Sequence, residues 1–145
     1  MNYNKPTNLN EIIELQKVLD HKIELSNKLK GTYTERDIRH IIISLIAELI
    51  EFNEELECSH KTWKKKEYYN TGKQREELID CLFFYCQLLI IDKVDTSELD
   101  FILSGFENDF KVDINKEYNS NFLVLECINY ANNLDYKKFL YSYLA

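Results

Sequence analysis

Four carboxylates of this sequence stand in two pairs, Glu48-x-x-Glu51 and Glu77-x-x-Asp80. In a helix of about 3.6 residues per turn, that spacing puts both members of a pair on one face. Two such helices packed antiparallel bring the pairs to one volume. Four anions there repel one another unless a cation sits among them. Ligands that are all oxygen favour a hard ion, Mg²⁺ or Mn²⁺, over zinc or copper. Such an ion polarises phosphoryl oxygens and lowers the pKa of a bound water, so the pattern points to phosphate hydrolysis. The plainer alternative makes Glu48, Glu51 and Glu55 a narrow solvent stripe on an otherwise buried helix.

The neighbours of these acids sharpen the choice. From Ile41 to Phe52 the polar residues are Ser44, Glu48 and Glu51 alone. From Leu78 to Ile91 the sole charge is Asp80, with Gln87 two turns further on. A helix this apolar is expected to be buried nearly all round. A carboxylate buried in it without a partner is costly or loses its charge.

Between the two pairs lies a basic stretch, Ser59 to Lys73, with Lys61, Lys64, Lys65 and Lys66 around Trp63; Arg75 follows. Its lysines suit phosphate oxygens, and Trp63 suits the face of a base. The alternative is a solvated charge run anchored by one aromatic. Gln16, among Leu15, Val18 and Leu19, is expected to be exposed, or else to read a ligand edge with paired donor and acceptor. Glu57-Cys-Ser-His60 has Glu-x-x-His spacing, but di-iron bundles need two copies and the sequence has one. His21 and His40 read as surface residues.

The elements that must position these groups are helical. The chain has 145 residues, the length of one ordinary domain, here taken as 1–145, and only 3 Gly and 1 Pro, too few for a turn-rich β fold. Hydrophobic spacing predicts a helix capped by Thr7 or Asn8 and running to about Lys30, with Gly31 as its stop. A second starts at Thr34, with Asp37 in its first turn, and ends near Cys58. A third covers about Gln74 to Asp92. A fourth, capped by Thr96 or Ser97, reaches about Lys111. Weaker patterns cover Ser120–Asn132 and Tyr136–Tyr143. The expectation is an all-α bundle of about five to six helices.

The net charge of −7 argues against a partner that is a nucleic acid polymer, which would meet a basic face. No apolar run approaches the roughly 18 residues that span a bilayer. The first ten residues hold no export signal, so the four cysteines (Cys58, Cys81, Cys86, Cys127) read as reduced, mostly buried thiols in the cytoplasm. The two central helices are greasier than a monomer needs, and a homodimer is expected to cover them.

Ala47-Glu48-Leu49-Ile50-Glu51 and Glu76-Glu77-Leu78-Ile79-Asp80 resemble the signature of the all-α nucleoside triphosphate pyrophosphatases, which include the MazG-type enzymes and the dimeric dUTPases. Glu14-Leu15-Gln16-Lys17-Val18-Leu19-Asp20, His60-Lys61-Thr62-Trp63 and the run from Glu76 to Phe84 are similar to the dimeric dUTPase branch. The likeness covers roughly residues 8–92. It departs from the family pattern at Glu54, where Asn is usual, and at Phe83-Phe84, where His often precedes Phe. The late Lys-Asn-x-x-Asn segment has no convincing counterpart.

The resemblance implies a Mg²⁺-dependent diphosphatase that converts dUTP, and by extension dUDP, to dUMP. Glu48, Glu51, Glu77 and Asp80 would hold the metal. Glu48 and Glu51 would be catalytic, Glu48 by orienting or deprotonating the water. Gln16 and Trp63 would lie at the uracil, and Lys61, Lys64 and Arg75 would meet the phosphates. The alternatives are a MazG-like cleaner of dCTP or modified nucleotides, and a non-catalytic helical module that binds a nucleotide or a protein.

Overall fold

A computed structural model of the chain describes residues 9–31, 36–63, 71–109 and 120–144. The described residues form six helices: α1 (Leu9–Leu29), α2 (Ile38–Glu54), α3 (Thr71–Ile91), α4 (Ser97–Asp109), α5 (Ser120–Asn132) and α6 (Tyr136–Leu144). No strand occurs among them, and the all-α expectation holds.

Local chemistry sets the ends. Gly31 adopts φ 69°, a left-handed conformation that ends α1 without a Cβ clash. At the other end of α1, Thr7 and Asn8 lie outside the described residues. The Leu9 N–H donates to Asp100 Oδ1 of α4 at 2.7 Å, so a neighbouring helix supplies the capping carboxylate. The expected start of the second helix at Thr34, also outside the described residues, is corrected. Asp37 caps α2: its side chain accepts from the N–H groups of Arg39 and His40, and the His40 ring accepts from the Asp37 N–H. That helix stops at Glu54, short of Cys58, because consecutive turns from Asn53 to Ser59 take over its last carbonyls. The third helix begins at Thr71, ahead of Gln74, and passes through Gly72. Lys111, the expected end of the fourth, lies outside the described residues.

α2 packs along α3 and α5, α5 along α6, and α1 along α3. α2 and α3 run antiparallel. Gln74 near the start of α3 donates to the Glu55 carbonyl just past the end of α2, at 2.9 Å, while Glu48 lies beside Glu77 and Cys81. Leu45, Leu49, Cys81, Tyr85, Cys86 and Leu88 are buried between the layers. α6 closes the end of the bundle through Phe139, which stacks on Tyr85 with ring centroids 4.8 Å apart. The hydroxyls of buried Tyr85 and half-buried Tyr143 each donate to a backbone carbonyl, of Tyr136 at 2.9 Å and of Leu78 at 2.6 Å, so neither is left without a partner.

One expectation changes here. α3 is not buried all round: Ile79 and Phe83 are exposed. They add to exposed Leu15, Val18, Leu19 and Leu29 on α1 and Ile43 and Ile50 on α2. Three cysteines are buried and Cys58 is exposed; all four are free thiols. No described helix is long and apolar enough to cross a membrane.

Candidate metal centre and nucleotide site

Antiparallel pairing of α2 with α3 converts two local spacings into one cluster. Glu48, Glu51 and Glu77 each place a carboxylate oxygen within 4.8 Å of the others. Oxygens on opposite sides of one Mg²⁺ stand about 4.2 Å apart, so a small side-chain adjustment closes the triad on such an ion. Glu77 is the buried member, only 4% exposed, while Asp80 is half-buried and lies outside the triad. The sequence pattern had pointed to Asp80 as the buried carboxylate; the turn of α3 puts Glu77 inward instead.

The electrostatics follow from the crowding. Burial, then Glu51, Asp80 and Glu77, push the Glu48 carboxyl up to about 7. Glu48 also shares a hydrogen bond with Glu77. The Asp80 carboxyl is raised too, by burial and then by Glu77 and Glu76, with Lys73 opposing. Lys73 Nζ lies 2.9 Å from Glu77 Oε1 and 3.6 Å from Glu76 Oε2. A centre that raises carboxyl pKa values and recruits an ammonium group favours positive charge, and its all-oxygen donors fit a hard divalent cation.

The segment beyond α2 is pinned from below. Buried Asn53 accepts at Oδ1 from the His60 backbone N–H at 3.0 Å and from His60 Nδ1 at 2.7 Å. Its own amide nitrogen donates to Asn121 of α5, and Asn121 donates to the Cys58 carbonyl at 2.7 Å. His60 is thus one end of this polar staple. Lys61 forms an ion pair with Glu54 at 2.8 Å, one turn beyond Glu51. Trp63 is 74% exposed and meets the His60 ring edge-on. Arg75 is exposed, and Lys64 lies outside the described residues.

Gln16 is not exposed; only 2% of its surface meets solvent. Its Nε2 donates to Asp20 Oδ1 at 2.7 Å, and Gln87 Nε2 donates to the same oxygen at 2.9 Å. Arg36 extends the chain, from Nη1 to Gln87 Oε1 at 3.5 Å and from Nη2 to Ser44 Oγ at 3.0 Å, with its guanidinium over the Phe84 ring. The expected exposure is corrected: the amide is buried, with its nitrogen turned to Asp20. Gln16 Oε1 is the one buried side-chain polar atom among the described residues that has no hydrogen-bond partner. Leaving it so costs about 1–3 kcal/mol.

Sequence reasoning did not find Asn53, Asn121, Asp20 or Arg36, and it saw Lys73 only as one more basic residue. The signals were faint: an Asn in an apolar helix, and a Gln in the greasiest stretch of α3.

A family model for dUTPase matches residues 8–144. The chain belongs to the dUTPase family. Its six helices fit that family, part of the MazG-like helical superfamily. The match runs through α4, α5 and α6 as well, well beyond the 8–92 that the motifs alone covered. Comparison with curated proteins and with solved structures returned no match. In dUTPase family terms, the acid triad lies where α2 and α3 face each other, and Gln16 on α1 belongs to a separate polar network joining α1 to α3.

Proposed function

We propose that the protein hydrolyses dUTP to dUMP and pyrophosphate, and dUDP to dUMP and phosphate, with Mg²⁺ as cofactor and Mn²⁺ as a substitute. The convergence of Glu48, Glu51 and Glu77 carries this reading. These three, with Asp80, would hold the metal, which when bound neutralises phosphate charge and makes water a better nucleophile. Glu48 orients the attacking water and takes its proton. Glu51 holds the water's other side. The α–β phosphoanhydride breaks, and Lys61, Lys64 and Arg75 offset the charge that builds on the leaving group. Gln16 and Trp63 bind the uracil. For Lys61, this means exchanging Glu54 for phosphate oxygens.

A second copy of the chain is the partner proposed for the exposed apolar side chains of α1, α2 and α3, making a homodimer. Free thiols and the absence of any described membrane-crossing helix support a place in the cytoplasm.

Pyrophosphate release from dUTP, dCTP, dTTP and UTP, with and without Mg²⁺, tests the reading. Release from dUTP that depends on Mg²⁺ is expected. A folded protein that leaves the whole panel intact refutes it and favours a non-catalytic helical module. Preference for dCTP favours the MazG-like alternative.

A further inference from the structure

We infer that Lys73 is a further substrate-contact residue of the acid centre: its ammonium group holds Glu77 while no metal is present and passes to the phosphate chain of the nucleotide when a dication takes that carboxylate. The inference rests on the proposed nucleotide reading and adds to it a residue of α3 that links metal binding to phosphate binding.

Lys73 and Glu77 stand four residues apart, so both project from one face of α3, and Lys73 Nζ lies 2.9 Å from Glu77 Oε1. Arg75, two residues before Glu77, lies roughly half a turn away round the helix. Lys61 is engaged by Glu54 at 2.8 Å, outside the triad. Among the described residues, Lys73 is thus the cation that already sits on a triad oxygen.

The position is a poor one for a lysine whose task is to stabilise a helix. It falls in the first turn of α3, where the helix dipole disfavours a cation, and that turn holds no acid to offset it. Lys before Glu at this spacing is also the weaker order for a helical ion pair. The Lys73 side chain stays 43% exposed while that of Glu77 is 5% exposed, so the lysine reaches in from solvent to a buried charge. A side chain that breaks local rules in this way belongs to the site rather than to the helix.

With a dication held by Glu48, Glu51 and Glu77, the ammonium group faces like charge and has to leave Glu77. Two anions can receive it. One is the carboxylate of Glu76, 3.6 Å away and mostly exposed. The other is a phosphate oxygen drawn to the same centre by the metal. The phosphate chain carries several negative charges close to one another and away from bulk water, so it is the stronger acceptor.

The test uses the full-length protein and calorimetry, with Mg²⁺ alone and then with non-hydrolysable α,β-imido-dUTP at saturating Mg²⁺. Lys73→Met should move the two affinities in opposite senses. Mg²⁺ alone should bind severalfold more tightly, and the nucleotide should bind about tenfold or more weakly, the worth of one charge-assisted hydrogen bond. A merely structural lysine would not separate the two. Lys73→Arg keeps the charge and should hold nucleotide affinity within about threefold of wild type. Lys73→Met with wild-type nucleotide affinity overturns the inference and places the displaced ammonium group on Glu76. Mg²⁺ binding that is unchanged or weaker in Lys73→Met overturns it too, as does a Lys73→Arg protein as weak for nucleotide as Lys73→Met. If Lys73→Met does not fold, Lys73→Gln carries the same measurements, with the same opposite shifts expected and the same results overturning them. A wild type that binds no nucleotide in Mg²⁺ and cleaves none overturns this inference and the proposed function together. Cleavage of dUTP with nucleotide affinity that does not depend on Lys73 overturns this inference alone.

Discussion

Lys73 Nζ lies 2.9 Å from Glu77 Oε1, so the most deeply buried acid of the candidate metal centre is held by a cation from its own helix, one turn away. The ammonium group and a metal ion compete for the same oxygen. Lys73→Met should therefore tighten Mg²⁺ binding severalfold, read by calorimetry, and lower the melting temperature of the metal-free protein. Weaker Mg²⁺ binding in this variant would contradict the arrangement.

Glu77→Gln keeps the shape of that side chain and removes its charge. Activity should fall by about 100-fold or more, and the rise in melting temperature on adding Mg²⁺ should disappear. Full Mg²⁺-induced stabilisation in Glu77→Gln would exclude Glu77 as a ligand.

The acid cluster also sets a pH dependence. The Glu48 carboxyl titrates at about 7 in the folded protein against 4.5 ordinarily, because of burial first and then of Glu51, Asp80 and Glu77. Between these values the folded protein binds more protons than the unfolded chain, so this group lowers stability as pH rises from about 4.5 to about 7. In chelator, Glu48→Gln should flatten that part of the profile and raise the melting temperature at neutral pH. Mg²⁺ should act in the opposite sense, binding more tightly as pH rises, since its ligands must lose their protons. Identical metal-free profiles for wild type and Glu48→Gln would refute the assignment.

Asn53 ties α2, His60 and α5 together from a buried position. Asn53→Leu removes both halves of its amide and strands its partners, so it should cost about 1–3 kcal/mol in denaturant unfolding. KM for nucleotide should rise as well, because Lys61 and Trp63 follow directly on this staple. A variant as stable as wild type would show that the staple carries little weight.

Leu15 and Val18 are 71% and 53% exposed, so charging them removes nothing from the core. Leu15→Lys with Val18→Lys should stay folded and shift the protein from dimer to monomer in light scattering. A wild type that is already monomeric at working concentration would rule out the dimer.

The helices and the acid pairs were readable in advance because both depend on near neighbours. Ile41, Leu45 and Leu49 recur at helical spacing, and Glu48 and Glu51 share a face wherever that helix packs. Gly31 ends α1 for a reason contained in its own backbone. The start of α2 was missed by a few residues because Thr34 and Asp37 are both good caps, and hydrogen bonds back from Arg39 and His40 settle the matter for Asp37.

What escaped such reading involves residues far apart along the chain. Asp20 meets Gln87, and Asn53 meets Asn121, only after helices have packed. Whether Gln16 or Asp80 is buried depends on which face of α1 or α3 a neighbouring helix covers, and periodicity leaves that choice open when both faces are apolar. Residue types and spacing prescribed helices and the chemistry they can carry. Packing selected which polar groups are desolvated, and desolvation is what separates a reactive or selective side chain from a solvated one.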